Sequence, residues 1–412
     1  MGAAPALSGH AAPSGPAAPP GPAGPGRAHW LRVTRETADD LATDAVAREQ
    51  AGKVPFDEVS RLREAGLLGL LAPVASGGGG ADWATAYAVV REIAAADAAI
   101  GQLLGSHYFL SWSAGFLAGP VAGARTEQRS AAGQWCWGGG FARQEAPLVL
   151  TRSGHGHVLH GRQSYAAGVL VADRIAVRAV RADTGEPVAV TVDPAHPGLA
   201  VVGDADAFGQ RLAGGGSVEC DGVPVAADEV LGSLSADEAV LSPRTALVSP
   251  VGRLLTVQLR LGVAEGVLAE VREYSRGMSV PDRAAGPAID PQALAAYGEL
   301  TVLTRSASAL ADQAREAVRR GVRRGEDLTY DEYAELSVLV AMAEAAAAGA
   351  ARESTARALD LLGARAASSR LGLDRFWRNA RTQSLHDPVG PRLRDVGDYF
   401  LSGAHPPFVL PT

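Results

Sequence analysis

The chain has 412 residues, 47% hydrophobic and 20% charged, with a formal net charge of −7. That length supports a large core in two or three domains, and the mild acidity without a Lys/Arg cluster argues against nucleic acid as the main partner. No apolar run reaches the ~18 residues of a bilayer span; the two cysteines, Cys136 and Cys220, lack metal-ligand spacing, so a reduced, cytoplasmic protein with no metal is expected.

Residues 1–27 are rich in Pro, Gly and Ala. They bury too little apolar surface to offset their ordering entropy and read as a disordered tail; they lack the basic and apolar regions of a signal peptide. Residues 28–130 read as a helical domain. Thr37 is the expected N-cap of the first helix, and Pro55 opens a second, FDEVSRLREAGLLG. Gly77 to Gly80 are followed by no Lys-Ser/Thr, so a flexible loop is expected there rather than a phosphate cradle. Thr85 to Gly115 reads as one long apolar helical region with a single histidine, His107.

Residues 131–240 change texture. WCWGGGFAR, PLVLTRSGHGHVLHGRQSYAAGVLVADRIAVRAVR and PVAVTVDP are short Val/Leu/aromatic runs punctuated by Gly, Pro and Asp, the pattern of a small antiparallel β domain. Residues 241–412 return to helix, with periodic segments at Thr256–Arg276, Pro291–Arg320 and Tyr330–Leu362. A fourth helix, RFWRNARTQSLHDP, concentrates arginines, amides, aromatics, His386 and Asp387 within Arg375 to Pro388. No G-x-G-x-x-G follows a strand, so NADH is not expected to bind.

This α+β order resembles the acyl-CoA dehydrogenase superfamily: a helical N-terminal domain, a central antiparallel β-barrel and a C-terminal four-helix bundle. EVSRLREAGLLGLLAPVASGGGG, FGQRLAGGGSVECDGVPVAADEVLG and ALDLLGARAASSRLGLDRFWRNARTQSLHDP carry the likeness. FWRNART followed by LHDP is closest to the dibenzothiophene monooxygenase type. The resemblance implies a two-component enzyme fed with reduced FMN (or FAD) by a separate NAD(P)H:flavin reductase. It would use O2 to oxygenate a small organic substrate at sulfur, nitrogen or an electron-rich carbon, and would assemble as a homotetramer.

The resemblance also implies roles for particular residues. His386 and His107 would protonate and shield the peroxide formed at flavin C4a, histidine being suited by its unperturbed pKa of ~6.5. Gln383, on the same helical face as His386, would orient it. Arg276 and Arg365 would hold the flavin phosphate, Arg365 from a neighbouring subunit. Loop backbone and small polar side chains of Trp137 to Phe141, including Gly139, and of Ser164 to Gly168, including Ala167, would lie beside the isoalloxazine. Gln383, Gly139, Ala167 and Ala205 depart from the family pattern, and the expectation is a wider, less polar pocket for a bulkier substrate. A rival is an acyl-CoA dehydrogenase or oxidase whose carboxylate base is Glu265 or Glu270; Asp387 reads more readily as a structural partner than as that base. A further rival is a non-catalytic, flavin-less binding member of the fold.

Overall fold

The computed structural model describes residues 24–143, 146–204, 206–237, 242–278 and 291–407; Ala205 and the first 23 residues lie outside the described residues. The N-terminal helices are α1 (Arg27–Ala51), α2 (Phe56–Glu64), α3 (Trp83–Ala96), α4 (Ala98–Leu117) and α5 (Pro120–Gly133). Thr37 is not a cap. It lies inside α1 and its hydroxyl donates back to the Val33 carbonyl at 2.9 Å, because the helix starts earlier to bury Trp30. Gly78, Gly79 and Gly80 donate their N–H groups to the carbonyls of Pro73, Gly69 and Ala72, a closed, hydrogen-bonded turn rather than an open loop.

The single helical region expected over Thr85–Gly115 is two helices. Asp97 leaves helical geometry (φ −145, ψ 105), and its carboxylate accepts from the N–H groups of Ala99 and Ile100 at 3.1 and 3.2 Å. It also pairs with Arg48 of α1 at 2.9 Å. The chain thus reverses at a capped break, and Gly101 of α4 backs onto Ala94 of α3.

The β elements are β1 (Trp137–Gly140), β2 (Leu148–Ser153), β3 (Gly156–Ala166), β4 (Arg174–Arg181), β5 (Pro187–Val192), β6 (Leu199–Gly203), β7 (Gly216–Val225) and β8 (Val230–Ser233). They form one sheet in the order β6-β7-β3-β2-β4-β5-β8, with β1 also on β4. The antiparallel barrel expected from the sequence is corrected to a mixed sheet: β1 and β2 both pair parallel with β4. Parallel neighbours need a crossover connection, which β3 and residues 167–173 supply between β2 and β4. Buried Val, Leu and Ile side chains of β2, β3, β4, β5 and β7 form a core of their own.

After the short α6 (Pro243–Ala246) come α7 (Val248–Met278), α8 (Pro291–Arg324), α9 (Tyr330–Leu362), α10 (Asp374–His386) and α11 (Gly390–Ser402). Thr329 and Glu332 close a reciprocal capping box at the start of α9. Although α9 is apolar enough by composition to cross a membrane, most of that stretch is buried, packed on α7 and α8. Small side chains permit this: Ala343, Ala347 and Ala350 are fully buried. α10 runs antiparallel to α7, since Arg375 pairs with Glu270 and Asp387 with Arg260. Inside the bundle Arg253 donates to both oxygens of the buried Glu344 at 3.1 Å, and Arg392 of α11 approaches the same carboxylate at 3.8 Å.

Candidate active site

The polar helix α10 is fixed by the loop that precedes β7. The Asn379 Oδ1 accepts the Gln210 backbone N–H at 2.6 Å. A Cβ on Gly209 would overlap the Arg378 carbonyl and stand 2.7 Å from Thr382 Oγ1, so only glycine lets the loop approach this closely. Arg378 completes the attachment by pairing with Glu49 of α1 at 2.6 Å. Two polar atoms are left over. The Gln210 side-chain N–H reaches the Asn379 carbonyl at 3.5 Å, while Gln210 Oε1 and Thr382 Oγ1 are buried without a partner among the described residues.

The two stretches expected beside a flavin ring are brought together. Gly139 and Ala167 exchange backbone hydrogen bonds at 2.8 and 3.1 Å, and Gln163 donates to the Gly140 carbonyl at 2.8 Å. One expectation, extra space at Gly139, is nevertheless corrected, and the neighbouring rings face inward. Gly139 has φ +121 and a Cβ there would overlap the Ala176 carbonyl oxygen, so its missing side chain opens no space in the pocket. The Trp137 indole turns into the core and donates to Ser130 Oγ at 2.8 Å. The Phe141 ring is likewise buried, edge-on to Phe109 at 6.0 Å. Only backbone is available from this strand. Ser164 meets Ser217 at 3.5 Å, and the bulge beside it turns out Tyr165, at φ +58 and 72% exposed.

His107 is also corrected. It is fully buried; its Nε2 lies 2.8 Å from the Leu68 carbonyl and its Nδ1 accepts the Trp137 backbone N–H at 3.0 Å. Those partners require the neutral tautomer with hydrogen on Nε2. Burial lowers its pKa from 6.5 to about 4. Both nitrogens are spent on joining the α2–α3 connection to β1, which leaves nothing for a ligand.

What α4 does offer is Gln102 and Ser106. Every residue from Ala98 to Leu110 is buried except these two, one turn apart. Neither side chain makes a hydrogen bond among the described residues, and Gln102 Oε1 is itself buried and unpartnered. Leu103 packs beside Gly168, and Ala98 shares an apolar cluster with Phe376 of α10, so this stripe opens between α10 and the Gly139–Ala167 edge of the sheet. The only sequence signal was two polar residues at i, i+4 in an apolar stretch.

His386 is the last residue of α10, exposed, with its ring 5.3 Å from that of Tyr165. Gln383 is buried, and its amide makes no hydrogen bond among the described residues. Asp387 accepts from Arg260 through both its carbonyl (2.9 Å) and Oδ2 (3.0 Å). The carboxylates considered as a base are engaged: Glu265 is forked by Arg91 at 2.8 and 2.6 Å, and Glu270 is paired with Arg375. Gln102, Ser106, Gln210, Thr382 and Gln383 place amides and hydroxyls around the seam. Arg276 is exposed and pairs with Glu273 at 3.2 Å; Arg365 is exposed in the turn after α9. Both lie at the end of the bundle where Ser275 meets Tyr297 and Arg357 meets Glu299. Arg276 stands ~24 Å along α7 from Arg260, at about 1.5 Å per residue.

A helical domain, a mixed sheet and a helical bundle, meeting at a polar seam, define a flavoenzyme-like class of fold. The family models described as acyl-CoA dehydrogenase, N-terminal domain, and acyl-CoA dehydrogenase, C-terminal domain, match residues 30–116 and 254–390. The dibenzothiophene monooxygenase of Rhodococcus erythropolis is 34% identical over 393 residues, covering 91% of this chain and 94% of that protein. A probable FMNH2-dependent monooxygenase, SfnC, of Pseudomonas putida is 32% identical, covering 91% and 95%. Among solved structures, FMN-bound TdsC from a Paenibacillus species has a TM-score of 0.87 at 34% identity, covering 92% of this chain and 99% of that one. Methanesulfinate monooxygenase MsuC from Pseudomonas fluorescens has 0.85 at 29% identity, covering 92% and 98%. The chain belongs to the acyl-CoA dehydrogenase family, in its dibenzothiophene monooxygenase branch.

Proposed function

We propose that the protein is a flavin-dependent monooxygenase that takes reduced FMN from a separate reductase and oxygenates a small organic molecule at sulfur, nitrogen or an electron-rich carbon. The observation that carries this reading is the character of the α10 wall: an imidazole at its end and, among the described residues, no free carboxylate beside it. An acyl-CoA dehydrogenase needs such a base, and the two glutamates open to that role are held by arginines.

The residues present fit FMN. Gln210 Oε1 and Thr382 Oγ1, buried and unpartnered, suit the hydrogen-bonding edge of an isoalloxazine beside the Gly139–Ala167 backbone. When bound, reduced FMN supplies the electrons that reduce O2. The chain's own part is positioning and proton control. His386, kept in place through Asp387 and Arg260, holds or delivers a proton at the ring nitrogen that faces the seam. Gln383 orients it from one turn back, and Tyr165 closes the outer side against water.

Arg276 and Arg365 would hold the phosphate. Arg276 stands toward the end of α7, ~24 Å along the helix from the Arg260–Asp387 contact beside His386, which favours phosphate arginines supplied by a second copy. Trp377, Leu385, Leu393, Phe400 and Leu401 on α10 and α11 are large apolar side chains left exposed in a single chain, a surface that assembly would cover. A homotetramer in the cytoplasm accommodates both features. The test is turnover of a thioether, a thiophene and an N–H heteroarene such as carbazole, each with a flavin reductase, NADH, FMN and heavy-oxygen-labelled O2. One labelled oxygen atom in the product is expected. Unlabelled product, or flavin bleached anaerobically by an acyl-CoA alone, would overturn the reading.

A further inference from the structure

The seam carries hydrogen-bonding capacity that neither the fold nor FMN accounts for. α4 and α10 run parallel: α10 opposes α7, α3 runs with α7 through the Arg91–Glu265 contact, and α4 reverses on α3 at Asp97. From the shared start at Ala98 and Phe376, the stripe Gln102–Ser106 therefore travels alongside Asn379 and Gln383. Gln102 and Gln383 present carboxamides from the helical side, across from the sheet backbone and the Gln210 loop. Gln102 Oε1 is buried without a partner, and no side-chain hydrogen bond is made by Gln102, Ser106 or Gln383 among the described residues.

A thiophene-like ring has no N–H or O–H group. Bound here, it would leave these amides desolvated and unsatisfied, which is what makes a polar site reject a ligand that lacks the matching group. The cost falls on the helical side, because Gln210 and Thr382 can be satisfied at the cofactor edge.

We propose that Gln102, supported by Gln383 and Ser106, selects a flat aromatic substrate that carries its own N–H or O–H donor, rather than a bare sulfur heterocycle. This rests on the monooxygenase reading for the location of the cofactor, but it concerns equilibrium binding and does not need turnover. Gln102 accepts the donor at Oε1, and its amide N–H together with Ser106 Oγ is available to an adjacent acceptor. Asn379, which could otherwise compete, already has Oδ1 occupied by the Gln210 N–H at 2.6 Å.

The test uses the FMN-loaded full chain and three ring systems of matched shape: carbazole, 9-methylcarbazole and dibenzothiophene. Binding is read by calorimetry or by the flavin absorbance change, without reductant. Carbazole is expected to bind about tenfold to a hundredfold more tightly than the other two, the range for one buried hydrogen bond otherwise left unmade. Gln102→Leu should bring the three within about threefold of one another, while Gln102→Glu, which keeps an acceptor, preserves the order. FMN affinity, read separately by fluorescence quenching, should be unchanged in Gln102→Leu, and circular dichroism should verify that the variant folds. Equal affinity of the unmodified protein for carbazole and dibenzothiophene would overturn the proposal. So would a Gln102→Leu variant that loses FMN but keeps the preference, since the amide would then serve the cofactor. Neither result touches the labelled-oxygen experiment, whose failure would remove the monooxygenase reading instead.

Discussion

Arg260, 3% exposed in the middle of α7, donates from a single Nη atom to both the carbonyl and the carboxylate of Asp387, the residue that follows His386. A carboxylate at a helix C-terminus opposes the helix dipole, and here the guanidinium offsets it while satisfying a terminal carbonyl. Replacing Asp387 by Ala should lower stability by about 1–3 kcal/mol, less than for a fully buried pair because the backbone contact survives. Urea denaturation checks this. Asp387→Asn should keep most of both stability and turnover; abolished turnover in that variant would make Asp387 a base.

His386 is exposed, with the Tyr165 ring as its contact. His386→Ala should change stability by no more than about 0.5 kcal/mol. The fraction of consumed NADH that appears as oxygenated product, rather than as hydrogen peroxide, should fall about tenfold to a hundredfold, at the low end of what a positioned acid or base contributes. Unchanged coupling would remove His386 from its role.

His107 makes acid sensitivity predictable. Its pKa falls from 6.5 to about 4 through burial, so the unfolded chain binds the extra proton between those values. Stability is then full above pH 6.5, declines as pH falls toward 4, and loses nothing further from this group below that. The whole effect is about 3 kcal/mol. His107→Gln should be destabilised at neutral pH yet show a shallower slope of stability against pH across that window, measured by denaturant midpoints.

Glu344 is fully buried, and burial pushes its carboxyl pKa up against the opposing pull of Arg253, Arg260 and Arg392. Glu344→Ala would remove the buried carboxylate to which Arg253 donates and leave a cavity among Arg253, Arg260 and Arg392, and should cost about 3–5 kcal/mol. Arg253→Met combined with Glu344→Met should cost less than the sum of the two single changes. Thermal melts of the three variants decide it.

Subunit mixing tests the shared site. Arg276→Ala and His386→Ala proteins, each weakly active alone, should recover turnover when co-refolded, because some interfaces then combine an intact arginine with an intact histidine. Mixtures no better than their parents would place both residues on one chain's site.

The helices and their order were legible because apolar periodicity survives an alanine-rich composition, and α10 stood out through its density of polar side chains. Boundaries were less so. Thr37 has the side chain of a cap, but the burial of Trp30 extends α1 past it, and the Asp97 break is a single acidic residue within an apolar run. The sheet was misjudged because alternation specifies a strand but not its partners, and β4 takes β1 and β2 in parallel. His107 was misread for a related reason: an imidazole on an apolar helix looks the same whether its nitrogens meet a ligand or the backbone. Gln102 was passed over because glutamine announces no chemistry until its neighbours are known to leave it unpartnered.

The capped interruption at Asp97 governs the angular phase of everything after it on α4. One residue inserted between Asp97 and Gln102 would rotate the following stripe by about 100°, carrying an amide into the apolar interior and leaving Gly105 in the place of Ser106. The hairpin tip at Gly154, by contrast, is an exposed turn between β2 and β3 that can absorb extra residues without turning anything. Length variation among relatives with a working catalytic seam should therefore collect at such turns and be absent from the four positions between the cap and the first open glutamine.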